Sequence, residues 1–371
     1  TGYTLEPVGL SADEVRHYYH GFANEILWPL FHDLPGRCNF DPGHWPHYLR
    51  VNQRFAAAVG DATRDDDYVW VQDYHLMLVG QCLRELGIRR SAGYFLHIPF
   101  PPLDNFTKLP WRGEVLHALL EYDLLGFQTP RDMRNFLQCV RNLLPHVRVR
   151  TRRAAATLEL EDRTLQCGAF PIGIDHRRFT DDARSDEVSH RAWVIHERLP
   201  ERKLALGVDR LDYSKGVPQR IQAIDRALQT YPELRHNMTF IQVLVPSRED
   251  VAEYAELRRQ IERLVGQVNG RHTESGWTPI HYIYRSLDRQ ELVAHYRTSE
   301  IALVTPLKDG MNLVAKEYCA CTLEHGVLIL SEFAGAAAQL QGGALLVNPH
   351  DVDGVAAALH QAFTMAPEEQ H

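Results

Sequence analysis

Cysteine is scarce in this chain: six in 371 residues (Cys38, Cys82, Cys139, Cys167, Cys319 and Cys321) and no CxxC pair. Neither a disulfide framework nor a thiolate zinc site is therefore signalled, and a reducing cytoplasm is the expected setting. No apolar run reaches membrane-spanning length. The opening Thr1-Gly-Tyr-Thr-Leu-Glu-Pro lacks the basic-then-apolar order of a secretory signal, so the Asn-x-Thr triplets at Asn105 and Asn237 read as chance matches. An excess of positive charge is also missing. The 48 Asp and Glu outnumber 40 Lys and Arg, a net charge of -8, which argues against nucleic acid or an anionic membrane as partner. Any anionic ligand must be met by a local basic pocket. Internal repeats and low-complexity tracts are absent.

What is present describes a globular chain, with 44% hydrophobic and 24% charged residues and a length that favours two domains. Short, continuously apolar runs recur at 68–72, 93–98, 124–128, 204–208, 239–245, 281–284, 301–304, 327–330 and 344–347. Continuous rather than alternating hydrophobicity predicts strands buried on both faces. Helix starts lie between them: Ser11 with Glu14, Thr129-Pro130 with Asp132, and Asp288 with Glu291 as a second capping box. The aromatics Tyr18, Tyr19, Phe22 and Trp28 fall on one amphipathic helix. Strand-helix alternation predicts an α/β chain of two Rossmann-like domains, each a doubly wound parallel sheet, facing across a cleft. The weakest stretch, 147–203, is Arg/Ala-rich with one strand near Cys167, which places the domains at 1–195 and 196–371. The first residues read as a short strand, and with no initiator Met the chain is expected to have residues upstream of Thr1.

In open parallel sheets the polar residues directly after a strand reach the crevice. Here these are Asp73-Tyr74-His75, His97, Asp209-Arg210 with Lys215, Ser247-Arg248 and Asp309-Gly310. After the strand at 204–208, Arg210 and Lys215 precede a helix opened by Gly216 and Pro218, so two cations meet a positive helix end. That combination suits a dianion, against the alternative of a basic pair on a solvated turn. Neither a Walker loop nor a GxGxxG fingerprint is present. Asp309 and Glu317, eight apart beside a helix expected to begin near Met311, are spaced to hold hydroxyls at two ends of a sugar nucleotide. A turn residue and a surface glutamate are their alternative readings. His75 and His97 lack partners at i,i+4 spacing and His44-Trp-Pro-His47 reads as a Pro-rich turn, so no metal is expected.

Four separated segments carry a resemblance: Arg210-Leu-Asp-Tyr-Ser-Lys-Gly, Asp309-Gly-Met-Asn-Leu-Val-Ala-Lys-Glu, Phe95-Leu-His-Ile-Pro-Phe-Pro and Asp73-Tyr-His. From about residue 7 to about residue 365 the chain resembles the trehalose-6-phosphate synthase family, retaining glycosyltransferases of family 20 with the GT-B fold. The resemblance implies transfer of glucose from a nucleotide-glucose, UDP-glucose by preference, to glucose 6-phosphate, without cofactor or metal. It implies Arg210 and Lys215 on the donor diphosphate and Leu287 on the nucleobase. It implies Leu313 to Glu317 (Leu313, Val314, Ala315, Lys316, Glu317) as the donor-binding turn, with Glu317 on the ribose and Gly310, Met311 and Asn312 also on the donor side. Asp309 and His97 hold the transferred glucose. Tyr19, Trp28, Asp73 and Arg248 are implied on the acceptor side, with Arg248 facing the phosphate and Asp73 positioning rather than acting as base. The catalytic set so implied is His97, Asp73, Arg210 and Lys215.

Departures from the family pattern are also present. Gln72 stands where the family has His, and His20 and Ala23 replace Asn and Ser around Tyr19. The family's first strand and its Gly-Gly loop have no counterpart upstream of Thr1, and its closing helix is cut short at Gln370-His371. A glucosylglycerol-phosphate synthase taking glycerol 3-phosphate and a non-catalytic sugar-phosphate-binding homologue are the competing readings. A homo-oligomer is compatible with the sequence.

Overall fold

The computed structural model describes residues 2–152, 155–199, 202–247, 251–323 and 325–370. Its contacts divide the chain into two compact units, 1–172 and 173–371. The division comes earlier than the expected 195/196, because the helices His176–Arg184 and Asp186–Glu197 pack on elements of the second unit. Among the described residues no helix is long and apolar enough to cross a membrane.

Among the described residues the first unit holds six strands, β1 (Tyr68–Gln72), β2 (Ser91–Leu96), β3 (Leu124–Phe127), β4 (Arg148–Arg152), β5 (Ala155–Glu159) and β6 (Thr164–Ala169). Their order is β1-β2-β3-β6-β5-β4. Four are parallel as expected, but β4 and β5 add an antiparallel hairpin within the stretch that the sequence left nearly strandless. The physical reason is burial on a single face: Ala156 and Leu158 are covered, Val149 is half-buried, and the other described residues of the two strands are exposed or half-exposed and, Ala155 apart, polar, so no continuous apolar run marks the hairpin. The expected strand at the very start is not found; residues 2–10 have no regular structure before Ser11.

Ser11 does close a capping box. Its Oγ accepts the Glu14 N–H at 3.2 Å, and its own N–H donates to Glu14 Oε2 at 2.8 Å. The helix that follows continues to Phe31 with wide, π-type winding over Val15–Leu27. Tyr18, Phe22 and Trp28 are buried on it, and Tyr19 is half-buried. Thr129 caps as expected, whereas Asp288 makes half a box, because Glu291 turns to Arg285 instead. His44 and His47 do not lie in a turn. They occupy the first turn of the helix His44–Ala62, where Pro46 is tolerated because those N–H groups have no intrahelical partner.

The second unit is a fully parallel sheet, β7 (Lys203–Arg210), β8 (Met238–Val245), β9 (Ile280–Tyr284), β10 (Ile301–Val304), β11 (Val327–Ser331) and β12 (Leu345–Val347). The order β12-β11-β10-β7-β8-β9 makes β7 the strand from which the chain winds first one way and then the other. Leu204, Leu206, Ile241, Val304, Leu328 and Leu330 form its buried centre, each contributing about 1.5–3 kcal/mol through burial. The reversal lies between β7 and β10, where loops must part, and an α/β sheet of this kind offers its ligand crevice there.

Candidate active site

At that reversal point the loops after β7 and β10 are tied together: the Leu307 N–H donates to the Ser214 carbonyl at 2.8 Å. Lys215 Nζ then meets Asp309 Oδ2 at 2.5 Å, joining residues 94 apart in the chain. Burial works against the charge on Lys215, but the carboxylates of Asp309, Asp212 and Asp209 outweigh it and hold the amine above its ordinary pKa. Asp309 is fixed further by the Asn312 amide, which donates to Oδ2 at 3.1 Å. Asn312 takes the left-handed conformation (φ 74°) that Asn tolerates, and its Oδ1 caps the helix Leu313–Cys321 through the Ala315 N–H. The helix thus begins at Leu313, two residues after Met311 and close to the expected start. Asp309 lies on the turn ahead of it, and the two-turn helical spacing to Glu317 does not apply. A Cβ on Gly335 would lie 1.9 Å from the Gly310 carbonyl oxygen, so this turn is held by backbone that only glycine lets approach.

Beneath this floor lies a group that the sequence reading missed. Arg220 is 1% exposed and pairs closely with Asp209, while its guanidinium also reaches Thr305 Oγ1 at 2.9 Å, Gln242 Oε1 at 3.1 Å and the Lys215 carbonyl at 3.4 Å. Asp209, expected to reach the crevice, is spent on Arg220. Arg210, by contrast, is exposed at the strand end, with Nη2 3.6 Å from Asp212. Asp212 in turn accepts from the Ser214 N–H at 2.9 Å and its hydroxyl at 2.8 Å, which shapes the turn carrying Lys215. Further along, Glu317 accepts the Tyr296 hydroxyl at 2.9 Å, and burial raises its carboxyl above the ordinary range despite that bond. Leu287, Leu313 and Val314 are partly buried against the core of this unit. Burial lowers the Lys316 amine.

In the first unit, β1 and β2 end side by side and deliver Asp73 and His97. Asp73 has φ 70° and ψ 170°, a region that is costly for any residue but glycine. Its N–H donates to Phe95 O at 2.8 Å, and its Oδ1 accepts the His97 N–H at 3.2 Å. Burial pushes its carboxyl above the usual aspartate value, against the opposing pull of the Tyr74, His97 and Ile98 N–H groups and of the His97 ring. The His97 ring sits between two amides, Gln72 Oε1 at 2.6 Å from Nε2 and Gln128 Nε2 at 3.4 Å from Nδ1. As those amides are oriented, they suit a ring carrying its proton on Nε2. Gln72, the departure noted in the sequence, is therefore a direct partner of His97, and buried Gln128 was missed.

Tyr19 stacks on His75, ring centroids 5.6 Å apart and 10° from parallel. Trp28 is buried against His32 and Tyr74, at centroid distances of 4.2 and 5.6 Å. Tyr48 and Asn52, from the helix His44–Ala62, hold the loop after Asp73 by bonds of 2.7 Å to Tyr74 O and 3.1 Å to His75 O. Neither was anticipated. Arg248 lies outside the described residues.

The model of glycosyltransferase family 20 matches residues 1–371. The chain belongs to that family. Among curated relatives, it is 42% identical over 369 residues to an alpha,alpha-trehalose-phosphate synthase (UDP-forming) of Dictyostelium discoideum, spanning 99% of this chain and 50% of that one. It is 45% identical over 374 residues to a trehalose-6-phosphate synthase of a Mycobacterium species, strain KMS, spanning 99% and 76%. The chain is thus about half the length of the first relative and three-quarters of the second. Among solved structures it is similar to a Burkholderia xenovorans alpha,alpha-trehalose-phosphate synthase (UDP-forming) in complex with glucose-6-phosphate, at 40% identity and TM-score 0.92 over 97% of this chain and 79% of that one. An Escherichia coli trehalose-6-phosphate protein bound with UDP-2-fluoro glucose gives 41% and 0.92 over the same shares. The family's fold class, two Rossmann-like α/β units of the GT-B type, is therefore the one found.

Proposed function

We propose that this glycosyltransferase moves glucose from UDP-glucose to glucose 6-phosphate with retention, forming α,α-trehalose 6-phosphate and UDP. The observation that carries the reading is the Lys215–Asp309 pair, set beside Arg210 where the strand order of the second unit reverses. Relatives named for this reaction, at 40–45% identity, support it.

Arg210 and Lys215 take the donor diphosphate, Leu287 the base and Glu317 the ribose. The turn Asp309 to Lys316 lies against the sugar nucleotide, and His97 and Asp309 hold the glucose. Tyr19, Trp28, Asp73 and Arg248 receive the acceptor. The acceptor hydroxyl attacks the anomeric carbon on the face that the diphosphate leaves. A new carbon–oxygen bond forms as the bond to phosphate breaks, and the hydroxyl proton passes to the departing phosphate oxygen. No protein nucleophile is needed, so the protein's contribution is charge stabilisation and orientation. Lys215, held charged by Asp309, stays cationic through this step. The cytoplasm suits such an enzyme, and the six cysteines are all unpaired thiols.

UDP release followed with glucose 6-phosphate or glycerol 3-phosphate as acceptor tests the reading. Turnover with the first is expected; turnover with glycerol 3-phosphate alone, or donor binding without turnover, overturns it. Asp73 offers a sharper check on the acceptor side. Asp73→Gly relieves a backbone strain of about 1–3 kcal/mol, so the melting temperature is expected to hold or rise while turnover with glucose 6-phosphate falls at least tenfold. Retained turnover would remove Asp73 from the acceptor site.

A further inference from the structure

In the first unit the helix that starts at Ala12 packs beside the helix His44–Ala62. Where they meet, they gather side chains that the transferase reading does not use. His17 Nε2 lies 3.5 Å from Asp13 Oδ1, and His47 Nε2 lies 3.7 Å from Asp13 Oδ2. One donor atom from each of the three residues falls within 4.8 Å of the others. The two imidazoles stack, with centroids 4.7 Å apart. Donors bound at about 2.0–2.2 Å to a tetrahedral zinc stand roughly 3.3–3.5 Å from one another. Each nitrogen–oxygen separation, one to each oxygen of Asp13, is within a few tenths of an ångström of that figure, and with all three donors inside 4.8 Å of one another, side-chain rotation brings them onto one ion.

A second feature is independent of those distances. The far nitrogen of His17, Nδ1, is 3.0 Å from His44 Nδ1, and His44 Nε2 is 3.8 Å from Glu25 Oε2. If His17 carries its proton on Nδ1 and gives it to His44, His44 must carry its own on Nε2, toward the Glu25 carboxylate. That tautomer leaves His17 Nε2 with a free lone pair aimed at Asp13 and His47. The bond from His17 to His44 is the outer contact that metal-bound histidines usually have, since it fixes the ring and raises its basicity; Glu25, at 3.8 Å from His44 Nε2, acts on it through charge and not through a hydrogen bond. Glycine at position 21 makes this arrangement possible, because a Cβ there would lie 2.5 Å from His44 Nδ1.

We infer that Asp13, His17 and His47 bind a divalent transition-metal ion, with zinc as the matching cation, and that His44 and Glu25 orient His17. Two imidazoles and one carboxylate favour zinc, cobalt or nickel over magnesium and calcium, which prefer all-oxygen sites. Asp13 is exposed, so the ion is reached from solvent and water completes its shell. The site clips two helices and is independent of the transferase reading. An ion that binds the folded chain alone stabilises it according to its free concentration over Kd.

Zinc chloride titrated into the metal-free, full-length protein by calorimetry is the test, with cobalt chloride as a spectroscopic probe. We expect one ion per chain, the visible absorption of tetrahedral cobalt, and a melting temperature that rises with zinc. Asp13→Asn, a change at an exposed position, and His47→Asn should each weaken binding at least tenfold while the zinc-free melting temperature holds. His44→Gln should weaken it about tenfold, the size of a lost orienting bond. His97→Asn should bind as the unaltered protein does. Stoichiometry well below one, or zinc affinity unchanged in Asp13→Asn, would show an ion-pair cluster only and overturn the assignment.

Discussion

Replacing Lys215 with alanine is expected to lower the catalytic constant by about 30- to 1000-fold, or about 2–4 kcal/mol, the scale of removing one preorganised charge-stabilising donor. The effect belongs to the transition state, because the charge on the departing diphosphate grows as the bond to glucose breaks; KM for UDP-glucose should change much less than kcat. The fold should survive. Asp309 loses its ammonium partner but keeps the Asn312 amide at 3.1 Å and the Met311 N–H at 3.4 Å. Steady-state kinetics alongside a melting curve separates the two effects. An unchanged kcat removes Lys215 from the reaction.

The largest expected effect on stability lies at Arg220. Arg220→Met leaves the Asp209 carboxylate buried in the second unit with the Gln242 amide, at 3.3 Å, as its remaining side-chain hydrogen-bond donor among the described residues, beside the more distant charge of Lys215. Breaking a buried ion pair in this way costs about 3–5 kcal/mol. The double change Arg220→Met with Asp209→Leu removes the orphaned charge together with its partner and should recover most of the loss, a coupling that a double-mutant cycle in urea measures directly. If the double variant is as unstable as the single one, the pair is not what sets stability here. Since the same guanidinium reaches the Lys215 carbonyl and Thr305, both variants should also lose activity.

Arg220 illustrates where sequence reasoning stops. In the helix Val217–Thr230 it shares the buried face with Val217, Ile221, Ile224 and Leu228, so an arginine at a core-face position was the available signal. It was hidden among the Gln, Arg and Asp residues around it. The second sheet was legible because its central strands β7, β8, β10 and β11 are buried along most of their length and read as apolar runs, while the edge strands β9 and β12 are only partly covered, and the order of strands and helices then places Arg210, Lys215 and Asp309 at strand ends. The β4–β5 hairpin was illegible for the converse reason, since an exposed face carries polar residues. Tyr48, Asn52 and Gln128 act through long-range contacts with backbone or with His97, and no local pattern announces such contacts. His44 and His47 were misread because Pro46 suggested a turn, although a proline in the first helical turn is no obstacle to the helix. Asp13 and His17, at i,i+4 spacing on the preceding helix, were the overlooked clue.

The central claim is that two cations after β7 receive the donor's diphosphate. Titration of UDP into the Arg210→Gln, Lys215→Gln double variant, by calorimetry beside the unaltered protein, tests it most directly. The account predicts UDP affinity lower by at least a hundredfold, with glucose 6-phosphate binding and the melting temperature retained. UDP bound as tightly by the double variant as by the unaltered chain would contradict it.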